Sequence, residues 1–331
     1  MPAHRVPSDV ILDALQLACR APSLHNSQPW RWVVTADRVH LFADTRRLLR
    51  AADDSGIEAL ISCGAALHHF RVAMAAAGWV TTVRRFPDAQ DRLHLAAVEF
   101  TPADTVSDRE RRRADAILLR HSERLPLAMP AQWDQISDLA ETVTETEVVR
   151  IDPVSDEDRP AVAEASRLAN LLRAADLRYQ EELASTIPNF SSREGIPPTA
   201  LTSADQQRTV DVGREFPPVR GPGRHTATAE DRSTILILST VDEAPESVLR
   251  CGEALSAILL DATTAGMATC TVSHVMELPS GRDVVAALLR DRTFPQVLVR
   301  VGRSWTLNAR PPATPRLPID EVVEIRGGQH D

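Results

Sequence analysis

The residues with the clearest chemical potential lie at 21–32, between an amphipathic segment (8–20) and an apolar run (30–35). The polar side chains of this stretch are Ser23, His25, Asn26, Ser27 and Gln28, and Pro22 and Pro29 restrict the backbone around them. Donors and acceptors held on a stiff, short bend suit the binding of a planar polar ligand. The alternative is an ordinary surface loop, because polar clusters between periodic segments are usually connections.

Residues 22–30, read as Pro-Ser-x-x-Asn-x-Gln-Pro-Trp, resemble an element of the FMN-dependent nitroreductase family. The form with His25 between the serine and the asparagine resembles a two-domain, actinobacterial branch of that family. In the family, this element lies over the FMN and comes from the other half of a dimer. The resemblance therefore implies an α+β nitroreductase-like fold, with Pro22, Ser23, His25, Asn26 and Gln28 on one side of the flavin.

A second polar motif, Arg120-His-Ser-Glu-Arg124, follows a segment with helical periodicity at 108–119. Two arginines that flank a hydroxyl form a chemically reasonable phosphate site. The motif resembles the family's Arg-Arg-Ser-x-Arg signature, which implies that Arg120, Ser122 and Arg124 bind the FMN phosphate. The alternative is a solvated helix C-terminus, where basic residues are favoured by the helix dipole.

Two further segments complete the resemblance. Residues 314–322 resemble the family's C-terminal Arg-x-Pro-hydrophobic-acidic segment, which implies that Arg316 is another phosphate ligand. The turn at 265–269 corresponds to a glycine-containing turn whose backbone faces the flavin ring, and this assigns Gly266 and Met267 to the site. From its sequence context alone, Gly266 is also a good helix C-cap.

The chain contains a weak internal repeat. Aligning Cys63-Gly64 on Cys251-Gly252, an offset of 188 residues, brings two Ala/Leu-rich helical segments into register, each followed by a glycine. Their nearly all-round apolar character predicts two buried helices. We therefore expect two related domains, 1–110 and 111–331, that form an intramolecular imitation of the family's dimer. The alternative is that any two alanine-rich helices look alike.

The elements that must position these residues alternate along the chain. We predict strands at 39–42, 81–85, 93–100, 147–151, 234–240 and 296–301, and helices at 58–77, 108–119, 132–142, 156–185 and 282–289. Residues 186–228 are rich in proline and glycine. A connection of this length without regular structure is usually functional or disordered, and near a flavin it would serve as a lid.

Composition narrows the function classes. The 331 residues include 37 basic residues, all arginine, so sites that need a P-loop, kinase or Schiff-base lysine are excluded. The net charge of −9 argues against nucleic-acid or anionic-membrane partners. We find no apolar run of membrane-spanning length and no signal peptide. Four cysteines without metal spacing fit buried thiols in a cytoplasmic protein.

The resemblance implies an FMN-binding oxidoreductase that acts by a ping-pong mechanism. NAD(P)H would deliver hydride to the flavin and a small nitro, quinone or similar acceptor would remove the electrons, with no catalytic side chain required. We expect a monomer, because the internal repeat would replace the dimer. Two alternatives remain: a protein that stores or sequesters FMN with little turnover, and a fold that has lost the flavin.

Overall fold

The computed structural model describes residues 5–130, 148–187, 195–217, 229–305 and 313–326. Its helices are Ser8–Ala18 (α1), Ile57–Ala76 (α2), Asp108–Leu119 (α3), Arg159–Ala175 (α4), Leu177–Ser185 (α5), Ala204–Gln207 (α6), Pro245–Thr264 (α7), Pro279–Leu288 (α8) and Ile319–Val322 (α9). Its strands are Trp30–Val34 (β1), Val39–Ala43 (β2), Trp79–Arg85 (β3), His94–Pro102 (β4), Leu127–Ala128 (β5), Val149–Pro153 (β6), Thr234–Thr240 (β7), Ala268–Val272 (β8), Phe294–Ser304 (β9) and Val323–Ile325 (β10). The chain is therefore an α+β protein.

The first sheet combines residues from both ends of the chain. Its order is β10-β1-β2-β4-β3, with β10 parallel to β1 and the other pairs antiparallel. Trp30 and Trp32 on β1 are fully buried and anchor the core beneath this sheet. The predicted division at residue 110 assigns all of 111–331 to the second unit, whereas β10 is a strand of the first sheet.

The second sheet has the order β5-β9-β7-β6, and β8 pairs with β9. Its central strands β7 and β9 are buried along nearly their whole length, as expected for strands covered on both faces. The segment after α3 runs beside β8, where the Glu123 amide donates to the Thr269 carbonyl oxygen at 2.8 Å. This pairing brings the Arg120–Arg124 motif to the edge of the second sheet.

Helices α2 and α7 pack against each other between the two sheets. They meet at Gly64 and Gly252, where a Cβ on Gly64 would lie 2.1 Å from the Leu249 carbonyl oxygen. Other residues 188 positions apart also meet, since His68 Nδ1 lies 2.7 Å from Ser256 Oγ. Helix α2 has the length and composition of a membrane span, contrary to our sequence prediction, but most of its residues are buried within the protein.

Most of the predicted elements are confirmed, with shifts at their ends. The predicted helix at 156–185 is wrong as a single helix, because Asp176 has an extended backbone (ψ 103°) between α4 and α5. Its carboxylate accepts from the Tyr179 amide at 3.2 Å and so begins α5 as an N-cap. The short helix predicted at 282–289 begins earlier, at Pro279. The helix predicted at 132–142 lies outside the described residues.

Candidate functional site

A cavity of about 770 Å³ lies where the two sheets, α2 and the 195–217 segment meet. Several stretches of chain line it, among them 20–26, the first turns of α2, 118–124, 200–216, 270–273 and 313–316, together with residues of α4 and β9. Of the predicted site residues, Pro22, Ser23, His25, Asn26, Arg120, Ser122, Arg124 and Arg316 line this cavity. Residues from distant parts of the sequence thus converge on one concave site, as expected for a ligand pocket.

The 22–30 loop has a strained backbone. His25, Asn26 and Gln28 have φ values of 47°, 59° and 52°, in the left-handed region that non-glycine residues rarely adopt. Several hydrogen bonds hold the loop: for example, the Gln28 backbone amide donates to Ser23 Oγ at 3.0 Å, and Asn26 Nδ2 donates to the Gly195 and Pro315 carbonyls at 2.9 and 3.1 Å. Strain that the surroundings enforce in this way is typical of functional sites.

His25 is buried, and neither of its ring nitrogens has a hydrogen-bond partner among the described residues. Burial and the positive charges of Arg214 and Arg124 hold the pKa of His25 well below its usual value. The ring packs edge-on against Phe216, with centroids 6.1 Å apart. The neutral imidazole therefore presents one donor and one acceptor that a ligand in the cavity could satisfy.

Three arginines form a cluster at one end of the cavity. Arg20, Arg120 and Arg316 all line it, and none forms an ion pair with a carboxylate among the described residues. Burial and mutual repulsion lower the pKa of Arg120 to about 10 and that of Arg316 to about 9. The Nε groups of Arg20 and Arg120 are buried and have no hydrogen-bond partner in the described parts of the chain. Uncompensated buried cations with free donors make this end a strong candidate anion site.

Arg316 differs from the other two in its hydrogen bonds. Its guanidinium donates to the carbonyls of Cys19, Arg20, Ala21, Thr314 and Pro315, at 2.9 to 3.2 Å. These bonds commit the five N–H groups of the side chain. The first three acceptors follow the end of α1, so Arg316 stabilises a helix C-terminus. Toward an anion it offers positive charge and no free N–H group.

The 120–124 motif reaches the cavity through its backbone conformation. Arg120 ends α3 with an extended backbone (ψ 134°), and in an extended segment alternate side chains point to the same face. Arg120, Ser122 and Arg124 accordingly line the cavity, and His121 between them lines it as well, whereas the Glu123 carboxylate accepts from the Leu125 amide at 3.1 Å. Arg124 donates to the Ala200 carbonyl at 3.1 Å and lies 5.3 Å from the Phe216 ring centroid.

Three predicted site residues do not line the cavity. Gln28 is fully buried, and its Oε1 accepts from the Leu317 amide at 3.0 Å, so it joins the loop to the C-terminal segment. Gly266 has a φ of 74° and ends α7, which is the C-cap alternative. Met267 packs into the core between α7 and the second sheet. Contact of Gln28, Gly266 and Met267 with the cofactor stays a prediction, which is not supported by their positions outside the cavity wall.

Sequence reasoning missed several residues of the cavity wall. Cys270–Ser273 line it at the end of β8, a few residues after the predicted turn. Arg214 and Phe216 lie in the proline- and glycine-rich stretch, which has no periodicity to place them. Glu58 had a visible signal, a carboxyl in the first turn of an otherwise apolar helix.

Comparison with known proteins identifies full-length relatives. The chain is 52% identical over 330 residues, all of both chains, to the Mycobacterium tuberculosis protein called "Putative NAD(P)H nitroreductase acg". It is 44% identical to "Uncharacterized protein Rv3127" over 96% of this chain and 93% of that one. It is 36% identical to "Putative NAD(P)H nitroreductase Rv3131" over 98% of this chain and 94% of that one. These last two relatives are also from Mycobacterium tuberculosis.

No family model matches the chain. A solved structure, the FMN and NADPH-dependent nitroreductase NfnB from Sphigopyxis sp. strain HMH, superposes with a TM-score of 0.43 at 16% identity, covering 65% of this chain and 99% of that one. A structural likeness at that level says nothing about the site. Since the curated relatives match from end to end, the chain belongs to the mycobacterial nitroreductase-like family that includes the acg and Rv3131 proteins.

Proposed function

We propose that this protein binds FMN in the 770 Å³ cavity and acts as an NAD(P)H-dependent oxidoreductase on a small acceptor such as a nitro compound or quinone. The observation that carries the proposal is the cluster of Arg20, Arg120 and Arg316 without a carboxylate partner, close to a strained loop that presents His25. The names of the relatives support the same chemistry.

The arginine cluster fits the phosphate of FMN. Desolvation and mutual repulsion lower the pKa values of Arg120 and Arg316, which means that a nearby dianion would be strongly favoured. The unpartnered Nε groups of Arg20 and Arg120 supply donors, and Arg316 adds charge. A phosphate would therefore relieve both the repulsion and the missing hydrogen bonds.

The loop side of the cavity fits a planar ring with polar edges. His25 offers a donor and an acceptor, while Ile61 and Leu255 supply apolar surface for a ring face. When bound, FMN would supply the redox chemistry, accepting hydride from NAD(P)H and passing electrons to the acceptor. The chain's own contribution would be to orient the ring, provide a positive field and exclude water.

We also propose that the chain is a tandem pair of related domains that imitates a dimer. The support is the set of contacts between residues 188 positions apart, His68 with Ser256 and Gly64 with Gly252, as expected when a pseudo-two-fold axis passes between α2 and α7. The first unit would comprise residues 1–110 with the returning C-terminal strand. Such a chain would function as a monomer in a reducing, cytoplasmic compartment, where its four buried cysteines stay free.

A second candidate function, FMN storage with little turnover, is favoured by the 195–217 part of the predicted lid. Phe216 contacts both His25 and Arg124, and the Ala200 carbonyl accepts from Arg124. These contacts tie the segment across the cavity wall. A ligand beneath it would exchange slowly and meet an acceptor only when the segment moves.

The test of the phosphate assignment compares FMN with riboflavin. We expect the purified protein to bind FMN at least tenfold more tightly than riboflavin in a fluorescence titration, because only FMN reaches the arginine cluster. Arg120→Gln should remove most of that difference. Arg150→Gln, which breaks an exposed ion pair with Asp291, is the matched control. Equal affinities for both flavins in the native protein would refute the assignment.

A further inference from the structure

Glu58 is a buried carboxyl in the wall of the candidate cavity. It is 8% exposed, and no group in the described ranges forms a hydrogen bond with its Oε1 atom. Four carboxyl side chains line the cavity within the described residues, Glu58, Glu164, Asp211 and Glu215, and the other three are exposed. Glu58 is therefore the carboxyl that a buried ligand would meet.

The position of Glu58 is fixed by its helix and by the strained loop. Its carbonyl accepts from Ser62 Oγ at 2.7 Å, and the same Oγ accepts from the Leu24 amide at 3.2 Å. These bonds connect the first turn of α2 directly to the loop that carries His25. The Glu58 carboxyl and the His25 ring consequently belong to one rigid wall.

A second cavity, of about 500 Å³, lies behind Glu58. Glu58 and Gln296 line both cavities, and the Gln296 Oε1 atom is likewise buried without a hydrogen-bond partner among the residues that the structure describes. The second cavity also contains the exposed residues Asp54 and Ser55, so it reaches solvent. The wall between the second cavity and the ligand cavity thus contains two oxygen atoms, Glu58 Oε1 and Gln296 Oε1, that lack hydrogen-bond partners among the described residues. Such a wall is a suitable environment for a chain of waters.

Within the part of the chain that the structure describes, no cation forms a salt bridge with the Glu58 carboxyl. Glu277, which follows β8, is paired with Arg214 from the 195–217 segment and with Arg173 from α4. Asp53, in the loop before α2, accepts from the Ala59 amide at 2.8 Å. Burial and the nearby carboxylate of Glu277 raise the pKa of Glu58 well above its usual value, although Arg214 and a hydrogen bond with Ser273 oppose this. Glu58 therefore holds its proton more strongly than an exposed glutamate does.

From this geometry we infer that Glu58 is the proton donor to the acceptor in the candidate cavity, recharged from the second cavity. This inference rests on the proposed oxidoreductase function. Reduction of a quinone-type acceptor adds one hydride, originating from NAD(P)H, and leaves an oxyanion that needs one proton. Glu58 gives its proton to that oxygen, and its carboxylate regains one from water in the second cavity. The sum is NAD(P)H, H⁺ and quinone converted to NAD(P)⁺ and hydroquinone.

Two other titratable side chains, one in the cavity wall and one near it, are poorer donors than Glu58. His25 is neutral, because burial and two arginines hold its pKa well below its usual value. Tyr179 packs near Arg214 outside the cavity lining, and burial raises its pKa to about 12. A carboxylic acid with a raised pKa is matched to proton transfer near neutral pH.

The test uses Glu58→Gln, Glu58→Asp and the matched control Glu246→Gln. Glu246 is the repeat counterpart of Glu58 in the first turn of α7, but it is exposed and paired with Arg250. Infrared spectra of the protein without cofactor should show a neutral carboxyl band at pH 7 that Glu58→Gln removes and Glu246→Gln retains. In stopped-flow experiments, Glu58→Gln should slow reoxidation by a quinone by about 10²–10⁴-fold. Reduction by NAD(P)H should stay unchanged, and Glu58→Asp should be intermediate.

As the pH is raised, the neutral carboxyl band should disappear over the same pH range in which reoxidation of the native protein by a quinone becomes slower. Absence of a neutral carboxyl band, or equal reoxidation rates in the native and Glu58→Gln proteins, would overturn the inference. A protein that binds no FMN would instead overturn the proposed function, and the role of Glu58 with it.

Discussion

Gly64 and Gly252, 188 positions apart in the sequence, meet backbone to backbone between α2 and α7. A Cβ on Gly64 would lie 2.1 Å from the Leu249 carbonyl oxygen, and a Cβ on Gly252 would lie 2.1 Å from the Ile61 carbonyl oxygen. The two residues occupy equivalent places in the internal repeat. Their contact determines how closely the two halves of the candidate site approach each other.

The first prediction concerns this contact. Gly64→Ala and Gly252→Ala should each lower the free energy of unfolding by about 1–3 kcal/mol, because neither backbone has room for a methyl group. The double variant should lose less than the sum, since one methyl already separates the helices for the other. Urea denaturation of the four proteins measures this coupling. Additive losses would show that the two glycines act independently.

The second prediction separates Arg316 from Arg120. Arg316→Ala leaves the carbonyls of Cys19, Arg20 and Ala21 without their donor, so the free energy of unfolding should fall by about 2–4 kcal/mol. Arg120→Ala breaks one long bond to the Arg20 carbonyl, 3.3 Å, and relieves repulsion, so stability without ligand should change by less than about 1 kcal/mol. Thermal unfolding in cofactor-free buffer compares them. A larger loss for Arg120→Ala would contradict this assignment.

The third prediction is a loss of stability on acidification. Burial holds the pKa values of His25, His68, His69 and His274 well below 6.5, so the unfolded chain binds more protons below that pH. The contribution of these four histidines to the free energy of unfolding is complete above about pH 6.5. It declines as the pH falls, by up to ~1.4 kcal/mol for each histidine and each pH unit. His274→Asn should reduce the slope of stability against pH between 6.5 and 5. Identical slopes in the native protein and in His274→Asn would contradict this prediction.

The fourth prediction concerns Phe216. Phe216→Ala removes the ring that contacts both His25 and Arg124 across the cavity wall. If the 195–217 segment limits access, FMN should dissociate about tenfold faster and a bulky acceptor should be reduced faster. Stopped-flow displacement of bound FMN measures the first effect, with the exposed Phe294→Ala as control. Unchanged dissociation would remove the support for the storage alternative.

The sequence was sufficient to predict most elements and eight residues of the cavity wall, for identifiable reasons. The nearly all-round apolar character of α2 and α7 predicted two buried helices, and the 120–124 motif predicted three residues of the cavity wall. Both signals lie in the local sequence, so they can be recognised without knowledge of the fold.

What could not be predicted depends on contacts between distant residues. Nothing near Gln28 indicates that its amide bonds Leu317, and nothing near Arg316 indicates that α1 ends beneath its guanidinium. Arg214 and Phe216 reach the cavity from a stretch without periodicity. The protonation state of Glu58 is set by Glu277 and by burial, and neither is visible in the local sequence.

The central claim is that the cavity holds an FMN that NAD(P)H can reduce. The most direct measurement is the visible absorption spectrum of the FMN-reconstituted protein, recorded under anaerobic conditions before and after NAD(P)H and again after a quinone or nitro compound. We predict that the flavin band bleaches within seconds and returns with the acceptor. A bound flavin that NAD(P)H leaves oxidised, or a protein that acquires no flavin band, would contradict the claim.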